Sequence, residues 1–260
     1  MVEIYPLVFS KADLSGVPKE EILFHMVFAQ LANEIQILRK QVMLASNSIG
    51  EAGPKADAGV AAAHVNLRLL AGRLYEGHRL LQDKPAGSIH QAYVGELEPE
   101  ARKAHRSIMQ YFGQGSTLIK HLRNKASFHW DHESIAQAYD EIPDDLQLTD
   151  YIAWECGNCL YYSGALLSVG QMTAIAGLND AGTALDRIFE EVSDVASWFE
   201  YYAQGFMFAF AKRHLSLSKE KFDAVRQAID GCPDIQAASL PYFMDTDSVQ
   251  HLRDRQTSLP

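Results

Sequence analysis

The sequence predicts a mainly α fold, a bundle of long antiparallel helices with one small β-hairpin near residues 146–162. Three observations predict it. Apolar residues recur at helical spacing over two successive runs, Ile22 to Ala45 and Val60 to Leu81, with a Gly- and Pro-containing stretch between them. Intervals of three and four place side chains on one face of a helix, and two such helices joined by a short loop pack as a hairpin. A third run, Asn179 to His214, keeps the same spacing and is rich in aromatic residues.

Val2 to Phe9 is a short apolar segment that can dock as an extended arm. Pro18 then suits the first turn of a helix, and Glu20 and Glu21 favour its positive end. Ile22, Met26, Ala29, Ile35, Leu38, Val42 and Ala45 carry that helix to about Ser48. Gly50 to Gly59, with Pro54 inside it, reads as a loop. A second helix runs from about Ala56 to Gln82, with His64 among its apolar-side positions. Asp83 to Pro99 is rich in Gly and Pro and is expected to wrap the surface. A third helix is expected over Glu98–Phe112, and Ser116 is expected to cap a fourth that reaches about Ser127. Asp131 suits the N-cap of a short helix, His132 to Glu141.

Pro143-Asp144-Asp145 breaks the chain. Leu146 to Tyr162 reads as a hairpin or a helix, with the hairpin preferred. Helices follow over Gly164–Gly177 and Asn179–His214. The latter carries Leu185, Ile188, Val192, Val195, Phe199, Tyr202, Phe206 and Phe210 on one side, and Trp198, Tyr201 and Phe208 elsewhere. A helix apolar on more than one face belongs in a core or an oligomer interface. A last helix is expected over Ser218–Ile229, followed by a polar tail, 230–260, with weak ordering signals. Residues 1–260 thus read as one helical domain, in which 1–142 is a first half and 143–229 a packed second half.

Three cysteines do not make a disulfide framework, and Met1 to Phe9 has neither the basic start nor the apolar run of a secretory leader. No uncharged apolar stretch is long enough to span a bilayer. A cytoplasmic location without membrane attachment is the expectation. The net charge of −10 argues against general nucleic-acid binding, because phosphate attraction supplies most non-specific affinity. One window departs from that balance. Ala101 to Trp130 contains no Asp or Glu but has Arg102, Lys103, Arg106, Lys120, Arg123 and Lys125, a charge of +6 that leaves −16 for the remainder. A basic island of this kind is a place to expect an anion.

Within it lies the string Leu122-Arg123-Asn124-Lys125-Ala126-Ser127-Phe128-His129-Trp130-Asp131. A guanidinium can fork onto phosphate oxygens, and an imidazole can move a proton near neutral pH. Arg123, Asn124 and His129 resemble the motif of the HEPN superfamily, an Arg followed by a polar residue and then by a His four to six residues on. The resemblance implies an all-helical domain that is a metal-independent endoribonuclease or RNA-binding protein. It implies that His129 acts as general base or acid for attack by the RNA 2′-hydroxyl, Arg123 holds the phosphate, and Asn124 orients one of them. It also implies a homodimer in which two motifs face one cleft. That would reconcile the motif with helix geometry, since positions six apart on a continuous helix differ by about 240° and rise about 9 Å. Arg102, Lys103, Arg106, Lys120 and Lys125 would contact the RNA backbone, and Trp130 would stack on a base or anchor the loop.

Other readings stand beside this one. Cations and Asn near the last carbonyls of a helix stabilise its end without any substrate. On that reading the chain is a non-catalytic helical scaffold or interaction protein. The motif is then structural or binds a nucleotide, and the acidic surface meets a protein partner. Arg73 and His78 repeat the Arg–His interval with Leu74 in the polar slot and serve as an internal control. No metal is expected: His129, Asp131, His132 and Glu133 are adjacent ligand types without a distant partner pattern. Cys156 and Cys159 read as packing thiols, and no cofactor-binding fingerprint is present.

Overall fold

The computed structural model of the chain describes residues 2–127, 132–154, 157–178, 180–216 and 225–245. The fold is mainly α. α1 spans Lys19–Asn47, with Pro18 before it and Glu20 and Glu21 in its first turn, and a 3-10 turn at Ser48–Gly50 closes it. α2 spans Pro54–Gln82 with Pro54 at its start, where a missing N–H costs nothing. Gly59 lies against Ala45, Arg73 pairs with Glu34, and Gly77 abuts Leu31. Each step forward along α2 is a step back along α1, so the two form the expected antiparallel hairpin.

α3, Ala86–Val94, lies in the segment expected to wrap the surface, and it buries His90 and Tyr93. Ala86, Ile89 and Tyr93 keep a helical interval, and packing of that face against α2 and α1 outweighs the flanking Gly and Pro. α4, Pro99–Gly113, falls where the sequence places a third helix. Thr117, not Ser116, caps α5, its hydroxyl accepting from the Lys120 N–H. α5 covers only Leu118–Leu122 and passes into a π-helical turn, Arg123–Ser127. α6 (His132–Asp140) and α7 (Tyr162–Ala176) follow; Gly177, at φ 66°, ends α7 in the left-handed conformation that suits glycine.

α8, Ala181–His214, runs through the centre of the core. Ile188, Val192, Val195, Phe199, Tyr202, Phe206 and Phe210 are all buried. The helix is antiparallel to α1, with Phe210 stacked on His25 at 4.1 Å and Glu200 paired with Arg39. It is also antiparallel to α4: Gly205 faces Ala101, and Tyr111 donates to Glu191. A Cβ on Gly205 would overlap that of Ala101, so glycine permits this helix approach. The aromatic residues of α8 thus serve largely the core of the chain itself, although Tyr201 is exposed.

One expectation about the second half is corrected. Gln227–Ile229 is a strand, β2, paired antiparallel with β1, Val2–Ile4, where the sequence reading placed the end of a helix. Gly231 (φ 70°) and Pro233 follow closely and deny that segment a further helical turn, leaving the arm at 2–4 as its partner. Residues 218–224 of that expected helix lie outside the described ones. The described part of the tail, up to residue 245, is anchored. Asn47 donates to the carbonyls of Ile235 and Ala238, the Leu240 N–H bonds Leu44 O, and Tyr242 donates to Cys159 O. Among the described residues of 146–162, a single antiparallel bridge joins Tyr151 and Leu160 through two 2.8 Å backbone bonds, short of an extended hairpin. Among the described residues no helix is long and apolar enough to cross a membrane.

Candidate functional site

The turn at 123–127 exists because Leu122 and Ala126 are both held in the core while the helix ends between α2 and α7. Its widened backbone leaves carbonyls to be satisfied from outside, as any helix end does. Two side chains do so. Arg68 of α2 donates to Ala126 O at 3.0 Å, and Gln171 of α7 donates to Lys125 O at 3.0 Å and to Ser134 Oγ at 2.6 Å. The capping comes from neighbouring helices, not from the motif's own cation.

Arg123 is itself engaged. Its Nε and Nη2 both donate to Glu76 Oε1, at 3.3 and 3.0 Å, and its Nη1 donates to Asn124 Oδ1 at 3.1 Å. The guanidinium also lies 5.5 Å from the centroid of the Tyr75 ring. The Arg123 and Glu76 side chains are 26% and 36% exposed, so the pair is partly screened by water. Asn124 and Lys125 are exposed beside it. His129 and Trp130, with Asp131, lie outside the described residues, as does Cys156.

The remaining cations of the basic window do not gather around Arg123. Arg102 donates to the carbonyls of Gly95 and Leu97 and ties the α3–α4 turn, while Lys120 donates to Gly115 O. Lys103 and Arg106 are exposed in the first half of α4. About 10 Å of helix axis separates Arg106 from the end of that helix at Gly113. His121 sits against Ser116 Oγ at 2.6 Å. The control pair behaves as ordinary structure: Arg73 pairs with Glu34, and His78 is buried and stacked on Phe112 at 4.4 Å. The Cys159 thiol donates to Ala153 O, and among the described residues no group of three His, Cys, Asp or Glu is placed to hold a metal ion.

Two polar clusters escaped the sequence reading. At one end of the bundle Tyr93 of α3 donates to Glu21 of α1 at 2.5 Å, and its hydroxyl lies 2.9 Å from His214 Nε2 of α8, which is 3.0 Å from Glu21. Arg213 stacks over the Tyr93 ring at 3.7 Å and pairs with Glu96. Burial raises the Tyr93 phenol well above its ordinary value, so it stays a donor. Burial also penalises the charged Glu21, but hydrogen bonds from Tyr93 and His214 outweigh this and hold its carboxyl below the usual range. Glu21 sits in a first helical turn and Arg213 and His214 in a last one, so each complements its helix dipole. The constellation is a clamp joining three helix ends, and its hydrogen-bond triangle is already closed. Only the terminal positions of Glu21, Arg213 and His214 in their helices signalled it.

The second cluster is a set of buried imidazoles: His25, His64, His78, His90 and His105. His90 and His105 lie 5.2 Å apart, and His105 is 5.1 Å from the buried Tyr202 ring. Burial lowers all five, His64 and His90 to about 4. They are therefore neutral core aromatics at physiological pH. Comparison with known proteins leaves this geometry to stand alone: no family model, no curated protein and no solved structure matches the chain.

Proposed function

We propose that the chain is a non-catalytic helical interaction protein in which the Arg123–Asn124 turn fastens the end of α5 to α2. One observation carries this reading: the Arg123 guanidinium spends three donors inside the protein, two on Glu76 and one on Asn124. A phosphate would have to displace Glu76, whose charge offsets the positive charge that would attract it. A thermodynamic cycle over Arg123→Ala, Glu76→Ala and the double variant tests it. A coupling of about 1 kcal/mol is expected for a partly exposed, multiply hydrogen-bonded pair. Additive effects would remove the reading's support.

A second reading is favoured by the exposure of Asn124 and Lys125 and by the residual accessibility of Arg123. On this reading the turn is the phosphate-holding half of a HEPN-like, metal-independent ribonuclease. His129 supplies the proton transfer, Lys103, Arg106 and Lys125 supply backbone contacts, and two copies share one cleft. Its test is cleavage of single-stranded RNA in the presence of a chelator. Activity lost in both Arg123→Ala and His129→Ala, and retained in Arg73→Ala, would favour it over the first reading.

A further inference from the structure

We propose that the groove between α6 and α7, together with the acidic segment that follows α6, binds a basic amphipathic helix of a partner protein. This rests on the interaction-protein reading and gives it a partner of stated chemistry.

α7 is apolar almost all round. Met172 and Ala176 are buried in the bundle, while Leu166, Val169 and Ile175 on other parts of its circumference are only half-buried. Those three help line a groove of about 940 Å³, whose other wall includes Gln137, Glu141 and Leu146, with Lys125 also on its lining, so the excess of negative charge comes from the segment that follows Glu141. An apolar helix face open along a groove suits the apolar stripe of an incoming helix.

The chain continuing from that wall is both acidic and apolar. Asp140, Glu141, Asp144, Asp145 and Asp150 give −5 with no Lys or Arg between 140 and 154. None of these five carboxylates is in an ion pair among the described residues. Exposed among them are Leu146, Leu148 and Ile152, and Trp154 is fully exposed.

The segment is held in place. Besides the Tyr151–Leu160 bridge, Tyr151 donates to Asp57, Ser163 donates to Asp150, and Asn158 exchanges two hydrogen bonds with Met244. In the bridge Leu160 faces inward and is buried, so the alternation of side chains turns Ile152 and Tyr161 outward, as their exposure shows. An aromatic residue displayed on an anchored segment binds with little ordering cost.

Charge selects the occupant. Unpaired carboxylates repel nucleic acid and anionic lipid, and attract lysine and arginine flanking an apolar stripe. A helix laid in the groove would place its basic flank against this rim.

The test uses the full chain and two labelled 18-residue helical peptides with one shared leucine pattern, one carrying lysine at its polar positions and the other glutamate. The lysine peptide is expected to bind and the glutamate peptide not. Reversing Asp144 and Asp145 together to Lys should weaken binding about tenfold or more, and Trp154→Ala should weaken it further. Glu20→Lys with Glu100→Lys, an equal charge change at exposed sites elsewhere, should leave it nearly unchanged. All three variants alter exposed residues, so a retained cooperative unfolding transition verifies their folding. Equal affinity for the two peptides, or equal loss in the remote charge variant, overturns the proposal. So does a self-associated species abolished by Trp154→Ala, or a preference for vesicles over the peptide. Each of these leaves the Arg123–Glu76 coupling, and the reading it supports, to be judged separately.

Discussion

Acid should destabilise this protein well before its carboxylates titrate, and the buried histidines set the size of the effect. His64 and His90 are held at about 4 chiefly by burial, with the Arg68 charge adding to the shift at His64 and the His105 charge at His90. Both are nearly inaccessible. In the unfolded chain each would titrate near about 6.5. Between those values the unfolded state binds more protons than the folded one, so stability is lost as pH falls from about 6.5 toward about 4. From pH 7.5 to pH 5 the loss is about 2 kcal/mol per histidine, or roughly 4 kcal/mol for the two. His25, His78 and His105 are lowered as well and act in the same direction. That is a large share of a typical folding stability of about 5–15 kcal/mol. The assay is urea unfolding at pH 7.5, 6.5, 5.8 and 5.0, and the midpoint should move down by about 1 M or more over that range. Glu21, held below its usual range, loses its contribution only at lower pH and does not confuse the reading. The variant His64→Gln/His90→Gln should be less stable at pH 7.5 yet show a flatter pH dependence. A midpoint that stays level or rises on acidification would refute the reasoning.

The remaining expectations concern packing and capping. Gly205→Ala forces a Cβ onto Ala101 at the α4–α8 crossing and should cost about 1–3 kcal/mol, read by thermal unfolding, with partial rescue by Ala101→Gly. Thr117→Ala removes the cap of α5 and should cost about 1 kcal/mol, while Ser116→Ala should cost less. Tyr93→Phe leaves Glu21 and His214 without a shared partner and should destabilise by about 1–2 kcal/mol, read by urea unfolding.

The long helices were legible because their periodicity extends over many turns: α1, α2, α4 and α8 begin and end within a few residues of their expected bounds. α3 was hidden because its flanking Gly and Pro mimic a loop, while the burial of Tyr93 that stabilises it depends on distant helices. β2 was hidden because its partner is the other end of the chain. No local pattern carries that information. At the candidate site, Arg123 was correctly placed near a helix end, but its acceptor Glu76 lies on α2, far away in sequence. The buried histidines were similarly opaque. His64 read as an apolar-side position, yet a lone imidazole does not state whether it will be charged. The surface character of 140–154 was written in the sequence as alternating acids and apolar residues, but its exposure depends on the anchors at Asp57, Ser163 and Met244.

The central claim is that Arg123 fastens a turn and does not hold a substrate phosphate. It is tested most directly by measuring, on the same preparations, single-stranded RNA cleavage in chelator and melting temperature for wild type and Arg123→Ala. Losing a partly exposed ion pair with its hydrogen bonds costs about 1–2 kcal/mol, about 2–8 °C in a chain this long. That drop in melting temperature is expected, with no cleavage by the wild-type protein to lose. Cleavage by wild type that disappears in Arg123→Ala at an unchanged melting temperature would contradict it.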